Sequence, residues 1–290
     1  MSSTKEVLRR AVEQRRGLVV PGAFNAMSAR TVAENGFEAV YVTGAGVTNM
    51  YFGMPDLSFV GLHEIAEHTA RIRDVVDIPV IVDADTGFGN AVNTYRTVQV
   101  LERAGADAIQ LEDQIFPKKC GHFAGKDVID IADMESKIKA AVDARKDSNL
   151  LIIGRTDAAA VHGFDAAIER AQRMGEAGAD ILFVEAVEQE EQIRRIPTLL
   201  DRPLLMNIVI GGKSPTFDAS VLAQMGFSLV LYANAALQGA VAGMNRALST
   251  LKKNGRLDED PALVTPFAER QRLVNKGFYD GLEEKYRSNS

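Results

Sequence analysis

The sequence predicts an α/β fold, a (β/α)8 TIM barrel, and three observations support this prediction. Eight short apolar, β-branched runs recur along the 290 residues, each followed by turn residues and then by a helical pattern. Near-continuous apolar strands that alternate with helices are typical of a parallel sheet buried on both faces. An open doubly wound sheet commonly has a Gly-x-Gly-x-x-Gly turn after its first strand. No such turn follows the first run here, so the eight βα units favour a closed barrel.

The predicted strands are spread evenly along the chain. They are Leu18–Val20, Ala39–Val42, Val80–Val82, Ala108–Leu111, Leu150–Ile153, Ile181–Val184, Leu204–Ile208 and Leu229–Tyr232. Helical spacing is clearest over residues 91–104, 134–144, 166–177 and 235–251. Two of these helices end in the same Gly-Ala-Asp turn, at Gly105 and Gly178, where glycine acts as the usual helix terminator.

One domain over residues 1–290 is expected, because no Pro/Ser-rich linker divides the chain. Residues 1–17 have the pattern of an amphipathic helix that precedes the barrel. The barrel itself is expected over about residues 18–250. Residues 254–290, polar with embedded Leu, Phe and Tyr, are expected to form a helical extension for packing or oligomer contacts.

Composition excludes several classes of protein. A content of 46% hydrophobic and 25% charged residues is that of a soluble globular protein. Nucleic-acid-binding proteins usually carry an excess of basic residues, and the net charge of −6 gives no support to that function. No apolar run approaches the roughly 20 residues that span a bilayer, and the polar start predicts no signal peptide. The single cysteine excludes an intrachain disulfide and fits the reducing cytosol, so we expect a cytoplasmic protein.

Carboxylates collect where the predicted strands end, which is the end of a barrel that carries the active site. Asp83 and Asp85 are two residues apart and point the same way on an extended strand, and Glu112 ends the next strand. Such oxygen ligands suit Mg²⁺, with Mn²⁺ tolerated, whereas zinc is disfavoured because no His/Cys set is clustered. The alternative is that the aspartates merely cap the helix that starts near Asn90.

Two further residues carry candidate chemistry. Arg155 follows four apolar residues, and a buried charge is costly unless it is paired. It is therefore either the structural partner of a carboxylate or the clamp for an anionic substrate. Cys120 lies beside Lys118, Lys119 and His122, whose charges favour a reactive thiolate, although a lone cysteine is also compatible with inert packing.

Four motifs together resemble the isocitrate lyase/phosphoenolpyruvate mutase superfamily over about residues 18–247. They are Asp83-Ala84-Asp85-Thr86-Gly87-Phe88-Gly89-Asn90, Leu111-Glu112-Asp113-Gln114, Lys118-Lys119-Cys120-Gly121-His122 and Gly154-Arg155-Thr156-Asp157-Ala158. The third resembles the signature of the lyase branch, which acts on isocitrate, 2-methylisocitrate and dimethylmalate. The resemblance implies a Mg²⁺-dependent barrel, a homo-oligomer (tetramer) of dimers that exchange their last helix, and a cysteine loop that closes over substrate.

The resemblance also implies roles for individual residues. Asp85 resembles the direct metal ligand, and Asp83, Glu112 and Asp56 resemble residues that hold metal-bound waters. The same resemblance implies substrate binding by Thr43, Gly44, Ala45 and Arg155, and catalysis by Cys120 and Tyr41. Positions at the strand ends and beside the thiol add further candidates, which are Glu185 and Asn207 for substrate binding and Lys119, His122 and Arg155 for catalysis. Within this set, Tyr41 helps to take a proton from the substrate hydroxyl, and Cys120 protonates the carbanion.

These residues predict a carbon–carbon lyase that cleaves a 2-hydroxy di- or tricarboxylate, such as 2,3-dimethylmalate or 2-methylisocitrate, by retro-Claisen chemistry. The partner expected is this small carboxylate, with neither nucleic acid nor membrane. Two alternatives within the superfamily remain open. Tyr232-Ala233-Asn234 is similar to the mutase branch, which favours a carboxyphosphonoenolpyruvate phosphonomutase-type enzyme, and an oxaloacetate hydrolase or decarboxylase is the other. A non-catalytic barrel that binds small anions is the alternative from a different class.

Overall fold

A computed structural model describes residues 3–119 and 125–287. Eight parallel strands form a closed barrel in chain order, and this confirms the predicted fold class. The strands are β1 (Leu18–Ala23), β2 (Val40–Val42), β3 (Val80–Asp83), β4 (Ala108–Glu112), β5 (Leu151–Thr156), β6 (Ile181–Val184), β7 (Leu204–Asn207) and β8 (Leu229–Tyr232). Closure is made by β1 against β8, where Leu18 pairs with Leu229 and Val20 with Leu231.

Helices follow the strands as the periodicity predicts. They are α1 (Thr4–Glu13), α2 (Ala26–Glu34), α3 (Gly44–Val47), α4 (Leu62–Arg73), α5 (Ala91–Arg103), α6 (Ile131–Ala144), α7 (Ala159–His162), α8 (Phe164–Glu176), α9 (Glu190–Leu199), α10 (Ala219–Met225), α11 (Ala235–Asn254), α12 (Phe267–Leu273) and α13 (Lys276–Tyr286). A single π-helical turn, Thr48–Phe52, follows α3. Gly105 and Gly178 lie just beyond α5 and α8 at φ 100° and 112°, a conformation that glycine adopts without strain.

The end of the barrel where the strands begin is closed by α1. Leu8 and Val12 on this helix are at most 1% exposed and belong to the same apolar cluster as the strand residues Leu18, Ile153 and Leu229. Burying one such side chain is worth about 1.5–3 kcal/mol, so the helix both seals and stabilises this end. A binding site must therefore open at the other end, where the strands finish.

The chain divides into two compact units, Met1–Ala235 and Ala236–Ser290. The first contains the barrel, and the second contains most of α11 together with α12 and α13. The division falls just after β8. The single domain with a barrel over about residues 18–250 stays a prediction. Among the described residues, no helix is long and apolar enough to cross a bilayer.

Candidate active site

Polar side chains surround a cavity of about 50 Å³ at the C-terminal ends of the strands. Its lining consists of Tyr41, Thr43, Ala45, Asp56, Asp83, Lys118, Arg155, Phe183, Glu185, Asn207, Val209, Leu231, Ala233 and Asn234. A larger cleft of about 820 Å³ lies beside the loops after β2, β3 and β4, and its lining is mainly apolar. Ionised groups, not size, decide where chemistry occurs, so the smaller cavity is the candidate site.

Asp83 and Asp85 converge although the strand ends between them. Asp83 is the last residue of β3, and Asp85 adopts a left-handed conformation at φ 46°. Both carboxylates face Gly44, because a Cβ atom built there would lie 3.4 Å from Asp83 Oδ2 and 3.4 Å from Asp85 Oδ1. Gln110 Nε2 donates a hydrogen bond of 3.3 Å to Asp83 Oδ1 and orients that carboxylate. The predicted convergence therefore holds, although the local backbone is a turn.

The alternative that these aspartates cap α5 is excluded by the contacts of Asn90. Its Oδ1 accepts hydrogen bonds from the N–H groups of Val92 at 3.0 Å and Asn93 at 3.2 Å, and this satisfies the start of the helix. Neither aspartate is therefore needed as a cap, and Asp83 lines the cavity.

Lys118 lies at the centre of the acidic side chains. Its Nζ donates hydrogen bonds to both carboxylate oxygens of Asp56, at 2.7 and 2.8 Å. It also lies 2.9 Å from Asp85 Oδ1, as an ion pair without hydrogen-bond geometry. Burial works against the charged form, yet Asp85, Glu112 and Asp56 raise the pKa of Lys118 well above its ordinary value. This lysine is therefore a buried, permanently charged group.

Sequence reasoning selected Lys119 for the catalytic set, and the structure brings Lys118 to the carboxylates instead. The Nζ of Lys119 donates to the carbonyl oxygen of Gly125 at 2.9 Å, and Lys119 is absent from the described lining of the cavity. The ammonium groups of the two adjacent lysines thus reach different partners, and only Lys118 is part of the described lining. The sequence signal was the pair itself, which does not say which lysine faces inward.

The carboxylates fit a hard divalent cation. Burial raises the pKa of Asp85 to about 7, with Lys118 opposing the rise and Asp83 adding to it. Burial also raises the pKa of Glu112 well above its ordinary value, although Arg155 opposes the change. Glu112 Oε1 is buried without a hydrogen-bond partner among the described residues. Excess buried negative charge and an unpartnered carboxylate oxygen are the donor chemistry that Mg²⁺ and Mn²⁺ require.

The arrangement is nevertheless not a closed metal cage. Over residues 3–119 and 125–287, no three His, Cys, Asp or Glu side chains are grouped closely enough to ligate one ion. The Lys118 ammonium lies between two of the predicted ligands, Asp56 and Asp85. An ion held here would keep several waters in its coordination shell, which is usual for Mg²⁺.

Arg155 has both of the properties that the sequence left open. Its Nη1 lies 3.2 Å from Glu112 Oε2, and its Nε donates to Asp157 Oδ2 at 2.9 Å. Its guanidinium also stacks 5.3 Å from the centroid of the Phe183 ring and lines the cavity. Asp157 is held in turn by Lys126, whose Nζ donates to Oδ1 at 2.8 Å. Asp157 and Lys126 thus orient Arg155. Asp157 belongs to the Gly154–Ala158 motif that the sequence singled out, whereas Lys126 was not predicted.

The loop after β2 supplies backbone donors. Thr43 accepts a hydrogen bond from Gly46 N–H at 3.2 Å and begins α3, so Gly44 and Ala45 occupy the first turn. N–H groups in the first turn of a helix have no intrahelical partner and suit a carboxylate. Tyr41 is buried, and burial together with the charge of Asp83 raises the pKa of its hydroxyl well above the ordinary value. Its hydroxyl therefore keeps its proton at neutral pH.

Amide groups and apolar side chains form the rest of the wall. Asn207 Nδ2 donates to Glu185 Oε2 at 3.4 Å, as two predicted binding residues in contact. Asn207 Oδ1 and Asn234 Oδ1 are buried without hydrogen-bond partners among the described residues, so both are available to a ligand. Beside them lie Val209 and Leu231, with Ala233 at the end of the turn. Cys120 and His122 lie outside the described residues.

Comparison with known proteins agrees with this geometry. The family model described as phosphoenolpyruvate phosphomutase matches residues 8–252. The chain is 40% identical to 2,3-dimethylmalate lyase of Eubacterium barkeri, with 98% of each chain covered. It is 45% identical to 2-methylisocitrate lyase of Aeropyrum pernix, covering 86% of this chain and 80% of the relative.

Solved structures extend the similarity to three activities. A crystal structure of 2,3-dimethylmalate lyase superposes with a TM-score of 0.92 at 34% identity, covering 98% of this chain and 96% of that one. Oxaloacetate acetylhydrolase with 3,3-difluorooxalacetate gives a TM-score of 0.89 at 34% identity, with 97% and 95% covered. Phosphonopyruvate hydrolase with oxalate and Mg²⁺ gives 0.88 at 28% identity, with 98% and 99% covered. The chain therefore belongs to the phosphoenolpyruvate mutase/isocitrate lyase superfamily.

Proposed function

We propose that this protein is a Mg²⁺-dependent carbon–carbon lyase that cleaves a 2-hydroxy dicarboxylate of the 2,3-dimethylmalate type, or a 2-methylisocitrate-type tricarboxylate, into a 2-oxo acid and a carboxylate. The observation that carries the proposal is the buried acidic cluster at the strand ends, with Lys118 and Arg155 as the cations that line the same cavity. Relatives named 2,3-dimethylmalate lyase and 2-methylisocitrate lyase support it.

In this proposal Asp85 would be the direct ligand of the metal, and Asp83, Asp56 and Glu112 would hold its waters. The oxygen-only donor set and the unpartnered Glu112 Oε1 support the assignment, as does the Mg²⁺ in the structure of phosphonopyruvate hydrolase. When bound, the cation supplies Lewis-acid stabilisation of the negative charge that develops on the substrate's oxygens. Mn²⁺ has similar ligand preferences and should substitute.

Binding of the 2-oxo-acid half relies on groups of this chain. The first-turn N–H groups of Gly44 and Ala45 receive the carboxylate, and Arg155 provides the nearby positive charge. Glu112 and Asp157 hold the guanidinium of Arg155 in place, so little conformational entropy is lost when substrate binds. Glu185 and Asn207 contact the polar groups of the other half.

Proton movements complete the reaction. The substrate hydroxyl loses its proton, the C–C bond breaks, and its electron pair forms a carbanion stabilised by the adjacent carboxylate. Tyr41 is protonated at neutral pH, so it relays the hydroxyl proton towards the neighbouring carboxylates instead of acting as a free phenolate base. Cys120 donates a proton to the carbanion, and Lys119 and His122 favour the thiolate that remains.

The experiment that tests the proposal is a substrate panel with 2-oxo-acid release as the readout. The panel contains 2,3-dimethylmalate, 2-methylisocitrate, oxaloacetate and a phosphonate, each assayed with Mg²⁺, after exhaustive chelation, and after metal is restored. Cleavage of one of the 2-hydroxy acids that is lost on chelation and restored by Mg²⁺ or Mn²⁺ is the expected result. Full activity after chelation would contradict the metal assignment, and turnover of none of the hydroxy acids would contradict the lyase.

An oxaloacetate hydrolase is the second candidate. In the turn after β8, Asn234 lines the cavity with an amide oxygen that has no partner among the described residues, but this position resembles the mutase branch and favours a phosphonomutase over the hydrolase. A structural relative is named oxaloacetate acetylhydrolase, which supports the hydrolase. Release of oxalate and acetate from oxaloacetate, faster than cleavage of any hydroxy acid, would establish it in place of the lyase. A phosphonomutase would instead turn over only the phosphonate.

A homotetramer in the cytoplasm completes the proposal. The superfamily resemblance is the basis for a tetramer that exchanges its last helix, and the single cysteine is the basis for the reducing compartment. Sedimentation or light scattering gives the mass directly. A monomer at micromolar concentration would contradict the tetramer.

A further inference from the structure

Gln114 is a buried residue of the Leu111-Glu112-Asp113-Gln114 motif for which the proposed chemistry has no role. Its side chain is almost fully buried and forms two hydrogen bonds with the backbone of one other residue. Nε2 donates to the carbonyl oxygen of Lys119 at 2.9 Å, and the N–H of Lys119 donates to Oε1 at 3.0 Å. A flat primary amide carries one donor edge and one acceptor edge, so it pairs with a peptide unit as a neighbouring strand does.

The backbone of Gln114 is itself fixed. Gln114 pairs with Val128 in an antiparallel bridge. The flanking bonds are Ile115 N–H to Asp127 O at 2.9 Å and Ile129 N–H to Asp113 O at 2.8 Å. The amide therefore projects from a rigid base at the end of β4 towards the segment that carries Lys118 and Lys119.

The segment is also held from a second side. Ser58, in the loop after β2, donates its hydroxyl to the carbonyl oxygen of Lys118 at 3.3 Å. With the backbone placed in this way, Lys118 Nζ reaches Asp56 at 2.7 Å and Asp85 at 2.9 Å. A lysine side chain has about 2 kcal/mol of rotamer entropy to lose, so this geometry depends on a backbone that is already in position.

We propose that Gln114 is a positioning residue that clamps the Lys119 backbone and thereby holds the Lys118 ammonium among the carboxylates of the active site. Glutamine is specifically suited to this role. Glutamate would keep the acceptor for Lys119 N–H but lose the donor to its carbonyl, and an apolar side chain of equal length would lose both bonds. The consequence for turnover rests on the proposed function, whereas the clamp itself does not.

The test compares Gln114→Met and Gln114→Glu with the wild type. Gln172→Met is the matched control, because Gln172 Nε2 also donates to a backbone carbonyl, that of Leu199, on the exposed surface. The first readout is hydrogen–deuterium exchange of the peptide over residues 115–119, which does not require activity. Loss of a hydrogen bond worth about 1.4 kcal/mol corresponds to about 10-fold faster exchange. We expect this rate change in Gln114→Met, a smaller one in Gln114→Glu, and none in the control.

The second readout is kinetic and separates positioning from general destabilisation. Gln114→Met should lower kcat about 10-fold or more and leave the inhibition constant of pyruvate within about two-fold, because the first-turn N–H groups that receive a carboxylate are not held by Gln114. In a Lys118→Met background the same substitution should have little further effect, since Gln114 acts through Lys118.

Three results would overturn the inference: unchanged exchange at 115–119 in Gln114→Met, unchanged kcat despite faster exchange, or fully additive effects in the double variant. If Gln114→Met does not fold, Gln114→Glu decides on the same readouts. If the wild type cleaves no hydroxy acid but exchange at 115–119 is faster in Gln114→Met, the proposed function is refuted and the clamp is still established.

Discussion

The acidic side chains at this cavity are paired with two buried cations, Lys118 and Arg155. Asp56 and Asp85 share one ammonium group, and Glu112 shares Arg155 with Asp157. Removing one partner of a buried ion pair destabilises a protein far more than replacing both partners by apolar side chains, because the remaining charge is left buried and unpaired. Individual substitutions here should therefore have large and separable effects.

Replacing Lys118 by methionine tests which of the two lysines serves the site. Lys118→Met leaves Asp56 and Asp85 without their cation, so we expect turnover to fall by about 100-fold or more and stability to fall by about 3–5 kcal/mol. Kinetics and urea unfolding measure both effects. Lys119→Met is the comparison, because its ammonium bonds only a loop carbonyl among the contacts described, and its proposed part is limited to favouring the Cys120 thiolate. Its loss of turnover should therefore be smaller than that of Lys118→Met. A greater loss from Lys119→Met would show that the sequence-based choice was right.

Cys120 is the subject of a second prediction, which rests on the motif. Cys120→Ser should lower turnover by several orders of magnitude and leave substrate binding intact, because a hydroxyl is a far weaker acid than a thiol of pKa about 8.5. Alkylation of this cysteine, the only one in the chain, should inactivate the enzyme, and bound product should protect it. Near wild-type turnover in Cys120→Ser would contradict the role of Cys120 as the acid and would favour the phosphonomutase alternative.

Substrate size is expected to be limited by the apolar side of the cavity. Val209, Leu231 and Ala233 line it, whereas Lys213 is exposed and lies 3.6 Å from Glu188. An apolar wall does not compensate a buried carboxylate for its lost hydration, but it gains about 0.8 kcal/mol per methyl-sized group covered. A methyl-substituted malate should therefore have a higher kcat/KM than 2-methylisocitrate. The reverse order would place an additional cation near the distal end of the bound substrate.

At the level of secondary structure, the pairing of β1 with β8 determines the position of the turn that carries Asn234. Gly22 in β1 lies so close to this turn that an added Cβ atom would be 1.9 Å from the carbonyl oxygen of Ala233. No side chain fits at that distance, so the turn can occupy its position only if residue 22 is glycine. The close approach of two strands thus determines the wall of the cavity.

Gly22→Ala should therefore displace the turn after β8. Overpacking typically costs about 1–3 kcal/mol, and a backbone clash predicts a value at or above the upper end. Urea unfolding and kcat/KM measure the loss of stability and of activity. In Gly239→Ala, a helical control with no atom within 4 Å of the added Cβ among the described residues, stability should rise by about 0.4–1 kcal/mol. If Gly22→Ala and Gly239→Ala change stability and kcat/KM equally, the predicted clash at Gly22 is wrong.

For the whole molecule, the raised pKa of Asp85 links stability, pH and metal binding. The folded-state pKa is about 7 against an ordinary value of 3.8. Without metal, the folded protein therefore binds the proton more tightly than the unfolded chain does. This contribution to stability is complete below pH 3.8 and is lost as the pH rises through about 7.

A divalent cation competes with that proton, so the increase in Tm caused by saturating Mg²⁺ should grow between about pH 5 and pH 8. Differential scanning calorimetry at several pH values, with and without the metal, measures the increase. Asp85→Asn is the control, and it should abolish both the increase and its dependence on pH. A Tm increase that is the same at every pH in the wild type would show that Asp85 does not hold the cation.

The sequence by itself determined the eight strands, their alternation with helices, the superfamily and the placement of Asp83, Asp85 and Glu112 at or just after the ends of β3 and β4. These follow from short-range hydrophobic patterns and from the general rule that parallel strands end at one face, so no tertiary information is needed. The roles of Cys120 and His122 remain predictions of the motif.

Only the tertiary structure decided which lysine enters the site, what holds Arg155, and what Gln114 contacts. Lys118 and Lys119 are locally equivalent, and the choice between them depends on Asp56, which is 62 residues away in the chain. Asn90 and Asp83 both precede α5 as possible caps, and only the observed hydrogen bonds distinguish them. Contacts between distant segments depend on how loops pack against the barrel, and no local pattern of residues encodes that packing.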